Sequence, residues 1–117
     1  MKKEKHIEKS IEWAKKNGFS NFKADLEGFE SPFNFTRKED EAEFSPDLTA
    51  VSRNNRKHYF QVLVKKEETD DTLSQIQLYH TLAKAKDSKL YLMAPTGSVK
   101  YARDISSRLE LAEVVRI

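Results

Sequence analysis

The sequence of 117 residues has no cysteine, only three glycines and three prolines, and no long apolar run. A membrane-spanning helix needs roughly 18–20 apolar residues in a row, so a membrane protein is excluded. Without cysteine, disulfide scaffolds and thiolate metal sites are excluded too, and the reducing cytoplasm is the expected location. The first residues are basic, but charged residues follow where a signal peptide would be apolar, so secretion is not expected.

Charge of both signs is what the sequence has in abundance. It contains 21 Lys or Arg and 19 Asp or Glu, for a formal net charge of +2, beside 38% hydrophobic residues. This near balance is typical of a folded chain rather than a disordered one. The length predicts a single domain over residues 1–117, because one core usually occupies about 100–150 residues.

The hydrophobic pattern predicts the element order α-β-β-β-α-β-α-β. In the first helix, Ile7, Ile11 and Ala14 form one apolar stripe. A three-stranded meander followed by a crossover unit predicts an α/β fold with one mixed sheet and helices on both faces. The predicted helices cover about 3–17, 72–86 and 98–109, and the predicted strands cover about 22–26, 44–51, 59–65, 90–94 and 113–117.

Two segments on neighbouring predicted strands carry a resemblance to a known family. They are SPDLTA at 45–50 and YFQVLVK at 59–65. With the element order, they resemble the PD-(D/E)XK nuclease superfamily, in particular small bacterial members with a degenerate motif. The resemblance covers nearly the whole chain and implies a restriction-endonuclease-like fold. It also implies Mg²⁺- or Mn²⁺-dependent hydrolysis of phosphodiesters in DNA or another nucleic acid.

The resemblance also implies a set of catalytic residues. Asp47 and Gln61 would bind the metal, and Lys65 would stabilise charge at the phosphate. Because alternate strand residues share a face, Gln61 and Lys65 are expected on one side of the third strand. The position two before the lysine, where the family has an acid, is Leu63, so a replacement acid is needed. The candidates are Glu8 and Glu12 of the first helix, Asp25 and Glu27 of the first strand, and Glu67 and Glu68 just past the third strand. Of these we take Glu12.

Gln75 and Tyr79 match the Gln-x-x-x-Tyr pattern of the RecB-like branch of the superfamily. Four residues apart, they share one face of a helix and would support the active site together. A second interpretation stays open, in which Tyr79 belongs to the core and Gln75 to the helix cap.

Nucleic-acid contacts are expected at the turn between the second and third strands, where Arg53, Arg56 and Lys57 cluster. Two functions follow. The first is a nuclease-like protein whose degenerate metal site is weak or inactive, which the retention of Asp47 and Lys65 favours. The alternative is a non-catalytic nucleic-acid-binding or protein-interaction module, which Leu63 favours. A homodimer is possible, and a small α/β dimer without a nucleic-acid role stays open as a third interpretation.

Overall fold

The computed structural model describes residues 3–36, 38–41, 43–69, 71–109 and 112–117. Within these ranges, no helix is both long and apolar enough to cross a membrane. The helices are α1 (Glu4–Lys16), α2 (Thr72–Ala85) and α3 (Val99–Ser106), with a short 3-10 helix at Lys65–Glu67. The strands are β1 (Ser20–Ala24), β2 (Phe35–Thr36), β3 (Glu43–Phe44), β4 (Leu48–Val51), β5 (Lys57–Val62), β6 (Leu90–Ala94) and β7 (Ala112–Arg116).

Five strands form one mixed sheet in the order β1-β4-β5-β6-β7. The first three are antiparallel, and β5, β6 and β7 run parallel. The predicted mixed α/β sheet is therefore confirmed. The turn between β4 and β5 is also where the sequence places it, with Asn55 at a φ of 63°, a left-handed conformation that asparagine tolerates better than most residues.

A second, two-stranded sheet was not predicted. In it β2 and β3 are antiparallel, and Phe35 pairs with Phe44 and Thr36 with Glu43. The prediction of one continuous strand over 44–51 is therefore wrong. β3 ends at Phe44, and β4 begins at Leu48. Pro46 lies between them and interrupts the strand, because proline has no N–H to donate to a neighbouring strand.

The sheet separates two hydrophobic clusters, and β5 contributes to both. Phe60 and Val62 face α1, where Ile7 and Ile11 are buried, while Tyr59 faces α2 and α3. This alternation follows from the two-residue period of a strand. Each side chain of β5 therefore projects from one face of the sheet. Only residues that project from the same face can form a site together.

An aromatic cluster holds α1 to the sheet. Trp13 lies with its ring centroid 5.5 Å from that of Tyr91, and Tyr91 stacks on Phe60 at 4.9 Å. Phe19, just after α1, meets Phe60 edge-to-face at 5.3 Å. Such pairs contribute roughly 0.5–1.5 kcal/mol each beyond the area that they bury.

The strand predicted over 59–65 ends earlier than expected. β5 stops at Val62, and Lys65 begins the 3-10 helix. The neighbouring strand β6 explains this, because β6 ends at Ala94 and is followed by Pro95. The backbone N–H of Lys65 instead donates to the Ser98 hydroxyl at 3.1 Å. The prediction that Lys65 lies on the same strand as Gln61 is therefore wrong.

Candidate active site and basic surface

Asp47 and Gln61 are direct neighbours across β4 and β5. The register pairs Leu48 with Phe60, and continuing it by one residue places Asp47 opposite Gln61. The Asp47 backbone N–H donates to Gln61 Oε1 at 3.2 Å. The structure thus brings together the two residues predicted to bind a metal, and only one of them is a carboxylate.

The Asp47 carboxylate is buried and hydrogen-bonded within the protein. Its Oδ2 accepts from the Val62 backbone N–H at 3.0 Å and lies 3.3 Å from Lys3 Nζ. Burial raises the pKa of Asp47 above its ordinary value of 3.8, and the Lys3 ammonium and the Val62 N–H oppose that rise. The carboxylate is consequently part of a local polar network that needs no ligand to satisfy this oxygen.

Lys3, the cation paired with Asp47, was not among the predicted site residues. It precedes α1, four residues before Ile7 and eight before Ile11, which are both buried on the inner face of the helix. Residues four apart share one side of a helix, so extending the apolar stripe backwards reaches Lys3. That spacing is the signal in the sequence that would have found it.

A cleft of about 210 Å³ opens beside this pair, at the end of the sheet where β5 stops. We call it the cleft end. Lys3 is the only cation among the described residues that line it, and two carboxylates face it from just beyond β5. The other polar lining is neutral. The polar residues lining the cleft include Lys3, Gln61, Glu67, Glu68, Gln75 and Tyr101.

Gln75 and Tyr79 occupy different environments. Gln75 lines the cleft, and among the described residues no side-chain hydrogen bond from Gln75 caps α2. Tyr79 is fully buried in the core between α2 and the sheet, and within the described residues its hydroxyl has no hydrogen-bond partner. Burial, with a smaller effect from Asp47, raises the pKa of Tyr79. Gln75 is thus placed to touch a ligand, whereas Tyr79 is a core residue below the cleft.

Two other predicted residues lie apart from the cleft. Lys65 is exposed in the 3-10 helix and does not line it. Glu12 is exposed on α1 and does not line it either, because the buried face of that helix carries Ile7 and Ile11. The structure therefore does not bring the expected lysine or the expected replacement acid to Asp47.

Leu63 stands two residues before Lys65, at the position where the resemblance implies an acid. Its side chain is buried in the core beneath α2, and the residue that faces Asp47 is the amide Gln61. Neither residue supplies a second carboxylate.

These residues do not fit a bound Mg²⁺ or Mn²⁺. Within the described ranges, no three His, Cys, Asp or Glu side chains are grouped so that they could share a metal ion. Asp47 Oδ2 and Gln61 Oε1 both already accept hydrogen bonds inside the protein. A hard divalent cation is held mainly by anionic oxygens, and this pair supplies one carboxylate.

Arg53, Arg56 and Lys57 lie at the opposite end of the sheet. From Lys57 to Gln61 the strand advances four residues, about 13 Å at about 3.3 Å per residue. Lys16, at the end of α1, lines the same surface hollow as Arg53. We call this region, made of the β4–β5 turn and the ends of α1 and α2, the hairpin end.

The three predicted nucleic-acid-binding residues differ in their surroundings. The Arg56 guanidinium donates to the carbonyl and the carboxylate of Asp87. Arg53 packs over Gly18, so closely that a Cβ at Gly18 would lie 2.6 Å from Arg53 Nε. The Lys57 ammonium lies 4.5 Å from the Phe33 ring centroid. All three are held at the surface by contacts within the protein.

Comparisons with protein-family models, curated proteins and solved structures gave no match for this chain. The resemblance to the nuclease superfamily therefore stays a hypothesis that rests on the residues described above. The residues at the cleft end and the hairpin end of the sheet are therefore the basis for a proposed function.

Proposed function

We propose that this chain is a restriction-endonuclease-like domain that binds nucleic acid at its hairpin end and does not hydrolyse it. The observation that carries the proposal is the pair Asp47–Gln61, in which an amide faces the single carboxylate. That carboxylate is bonded to the Val62 N–H and to Lys3. A cytoplasmic location is part of the proposal, because the sequence has no cysteine.

The distribution of charge supports binding at the hairpin end. Phosphates are contacted by Lys and Arg, and the release of counterions makes such binding sensitive to salt. Arg53 and Lys16 share one surface hollow there. At the cleft end, Glu67 and Glu68 would repel a phosphate. The net charge of +2 leads us to expect modest affinity.

A metal-dependent nuclease is the second candidate. The observation that favours it is that Gln61 and Gln75 line one cleft, with Asp47 directly behind Gln61. Such a site would need a further carboxylate, and Glu67 and Glu68 at the cleft are the nearest in the sequence to β5. This candidate and the first make opposite predictions for cleavage.

The test combines cleavage and retention. Plasmid and single-stranded DNA are incubated with the full chain in Mg²⁺ and in Mn²⁺, and binding is measured over a series of salt concentrations. We expect no cleavage, and retention that falls as salt rises. Arg53→Gln should reduce the slope of log K against log salt by about 0.7–0.9, depending on whether the strand is single or paired. Lys5→Gln, on the exposed side of α1, is the matched control.

The outcomes separate the candidates. Cleavage that Asp47→Asn abolishes would overturn the non-hydrolytic proposal and establish the nuclease. Retention that is equally affected by Arg53→Gln and Lys5→Gln would contradict the hairpin end as the binding surface. Absence of both cleavage and retention would contradict both candidates and leave a module without a nucleic-acid role.

A further inference from the structure

A groove of about 510 Å³ crosses the sheet face that carries α2, over β1, β4 and β5 near the hairpin end. Its floor follows from the strand register, in which Lys23 pairs with Thr49 and Thr49 pairs with Tyr59. Cross-strand partners share a face, and so do residues two apart, so Lys23 and Lys57 both project on this side. Two lysines of different strands therefore line one groove.

The Lys57 ammonium is held in this groove by aromatic rings. Its Nζ lies 4.5 Å from the Phe33 ring centroid and 6.0 Å from that of Tyr59. In the described part of the chain it forms no ion pair with a carboxylate. The rings thus position the cation, and no carboxylate within the described ranges neutralises its charge.

Other cations surround Lys57. Partial burial lowers its pKa, and the ammonium groups of Lys86, at the end of α2, and of Lys23 lower it further. One carboxylate lines the groove, that of Glu30, and it lies 3.8 Å from Lys23 Nζ. The two ammonium groups in the groove are accompanied by this one weakly paired carboxylate, so an added anion would relieve the repulsion between them.

We propose that this groove binds a phosphate group, with Lys57 as the central ligand and Lys23 as the flanking cation. The inference rests on the proposed function in one respect, which is that the phosphate belongs to a nucleic-acid strand. A free nucleotide or inorganic phosphate has the same chemistry, and the experiment distinguishes these sources.

The groove is separate from the surface formed by Arg53. Arg53 lies with Phe19, His58 and Tyr91, on the side of the sheet that carries α1. Lys57 lies on the side that carries α2. A nucleic-acid strand that contacts both Arg53 and Lys57 would have to pass around the β4–β5 turn. Variants of these two residues therefore test different contacts.

The experiment titrates isotopically labelled full chain with inorganic pyrophosphate and, separately, with a single-stranded oligothymidylate, and follows NMR shifts and the pKa of Lys57. We expect shifts at the groove, in residues 21–23, 49–51 and 57, and a rise in the Lys57 pKa on binding. Lys57→Gln should weaken binding about tenfold, as expected for losing a charged hydrogen bond. Lys9→Gln, exposed on α1 across the sheet, should leave binding unchanged.

Several results would overturn the inference. These are shifts confined to other surfaces, an unchanged Lys57 pKa, or equal losses in Lys57→Gln and Lys9→Gln. If oligothymidylate still binds the Lys57→Gln variant with the wild-type salt dependence, the groove is not the phosphate-binding site and the proposed function stands. If pyrophosphate binds at the groove but no nucleic acid is retained, the phosphate site stands and the proposed function fails. Lys23→Gln, at a half-buried strand position, provides a second variant should Lys57→Gln not fold.

Discussion

The two ends of the sheet use charged residues in different ways. At the cleft end, Asp47 bonds to Lys3 and to the backbone of Val62, so its charge is compensated inside the molecule. At the hairpin end, Lys57 rests on an aromatic ring and has other cations nearby. The comparison teaches that a motif residue in the expected place is weaker evidence for chemistry than a charge that the fold leaves uncompensated.

The two ends also hold titratable groups that respond to burial in opposite ways. Burial raises the pKa of Asp47 above 3.8, and burial lowers the pKa of His58 below 6.5. In both cases the charged form is disfavoured. His58 Nδ1 accepts the Lys89 backbone N–H at 3.0 Å, which requires the neutral ring at that nitrogen. Relative to the unfolded chain, burial therefore favours the neutral form at both positions, and at Asp47 the Lys3 ammonium and the Val62 N–H act against it.

The largest expected effect on stability is at the cleft end. Two replacements of Asp47 distinguish the contribution of its hydrogen bond from that of its charge. Asp47→Ala leaves the buried Val62 N–H without an acceptor and should lower the free energy of unfolding by about 1–3 kcal/mol. Asp47→Asn retains an acceptor oxygen and removes a buried charge, so it should lose less. Chemical denaturation at pH 7 measures both. Equal losses in the two variants would show that the charge pair with Lys3, rather than the hydrogen bond, matters.

At the hairpin end, the corresponding test is Gly18→Ala. Gly18 has a φ of 87° and follows α1, and an added Cβ would meet the Arg53 guanidinium. The left-handed backbone should cost about 1–2 kcal/mol of unfolding free energy. Moving Arg53 should in addition weaken retention of nucleic acid. Denaturation and salt-dependent binding measure the two effects, and Gly28→Ala, also at positive φ but with open space around it, is the matched control.

The smallest expected effect is a difference in pH dependence between the ends. Because the folded pKa of His58 lies below 6.5, the unfolded chain binds more protons as pH falls below 6.5, and stability decreases. The folded pKa of Asp47 lies above its ordinary value of 3.8. Between 3.8 and the folded pKa, the folded chain therefore binds more protons than the unfolded chain, and stability decreases as pH rises through this range.

Unfolding free energies measured from pH 3 to 8 would test both slopes. His58→Gln should lose the decrease below about pH 6.5. Asp47→Asn should lose the contribution that declines as pH rises from about 3.8. The same slope in wild type and His58→Gln would contradict the role assigned to this histidine.

Much of the fold could be predicted from sequence because hydrophobic periodicity reports local structure. The stripe of Ile7, Ile11 and Ala14 located α1, and the apolar run at 90–94 located the buried strand β6. The end of β5 could not be predicted in this way, because it depends on where β6 stops, at Pro95. A strand pattern alone carries no information about the length of its partner.

The candidate site was harder to predict for the same reason. The sequence predicts Gln61 beside Asp47, and the register pairs them. It also predicts Lys65 on the same strand, which instead ends at Val62. The ion pair of Lys3 with Asp47 joins residues 44 positions apart. Sequence spacing could have placed Lys3 on the inner side of α1, but it could not have named its partner.

The aromatic cluster beneath α1 has a practical consequence. Trp13 is the single tryptophan of the chain, and its indole lies against Phe19, Phe60 and Tyr91. Its fluorescence is therefore an intrinsic optical reporter of whether α1 is seated on the sheet. Since α1 also brings Lys3 to Asp47, emission recorded during a titration would signal release of that helix without any attached dye.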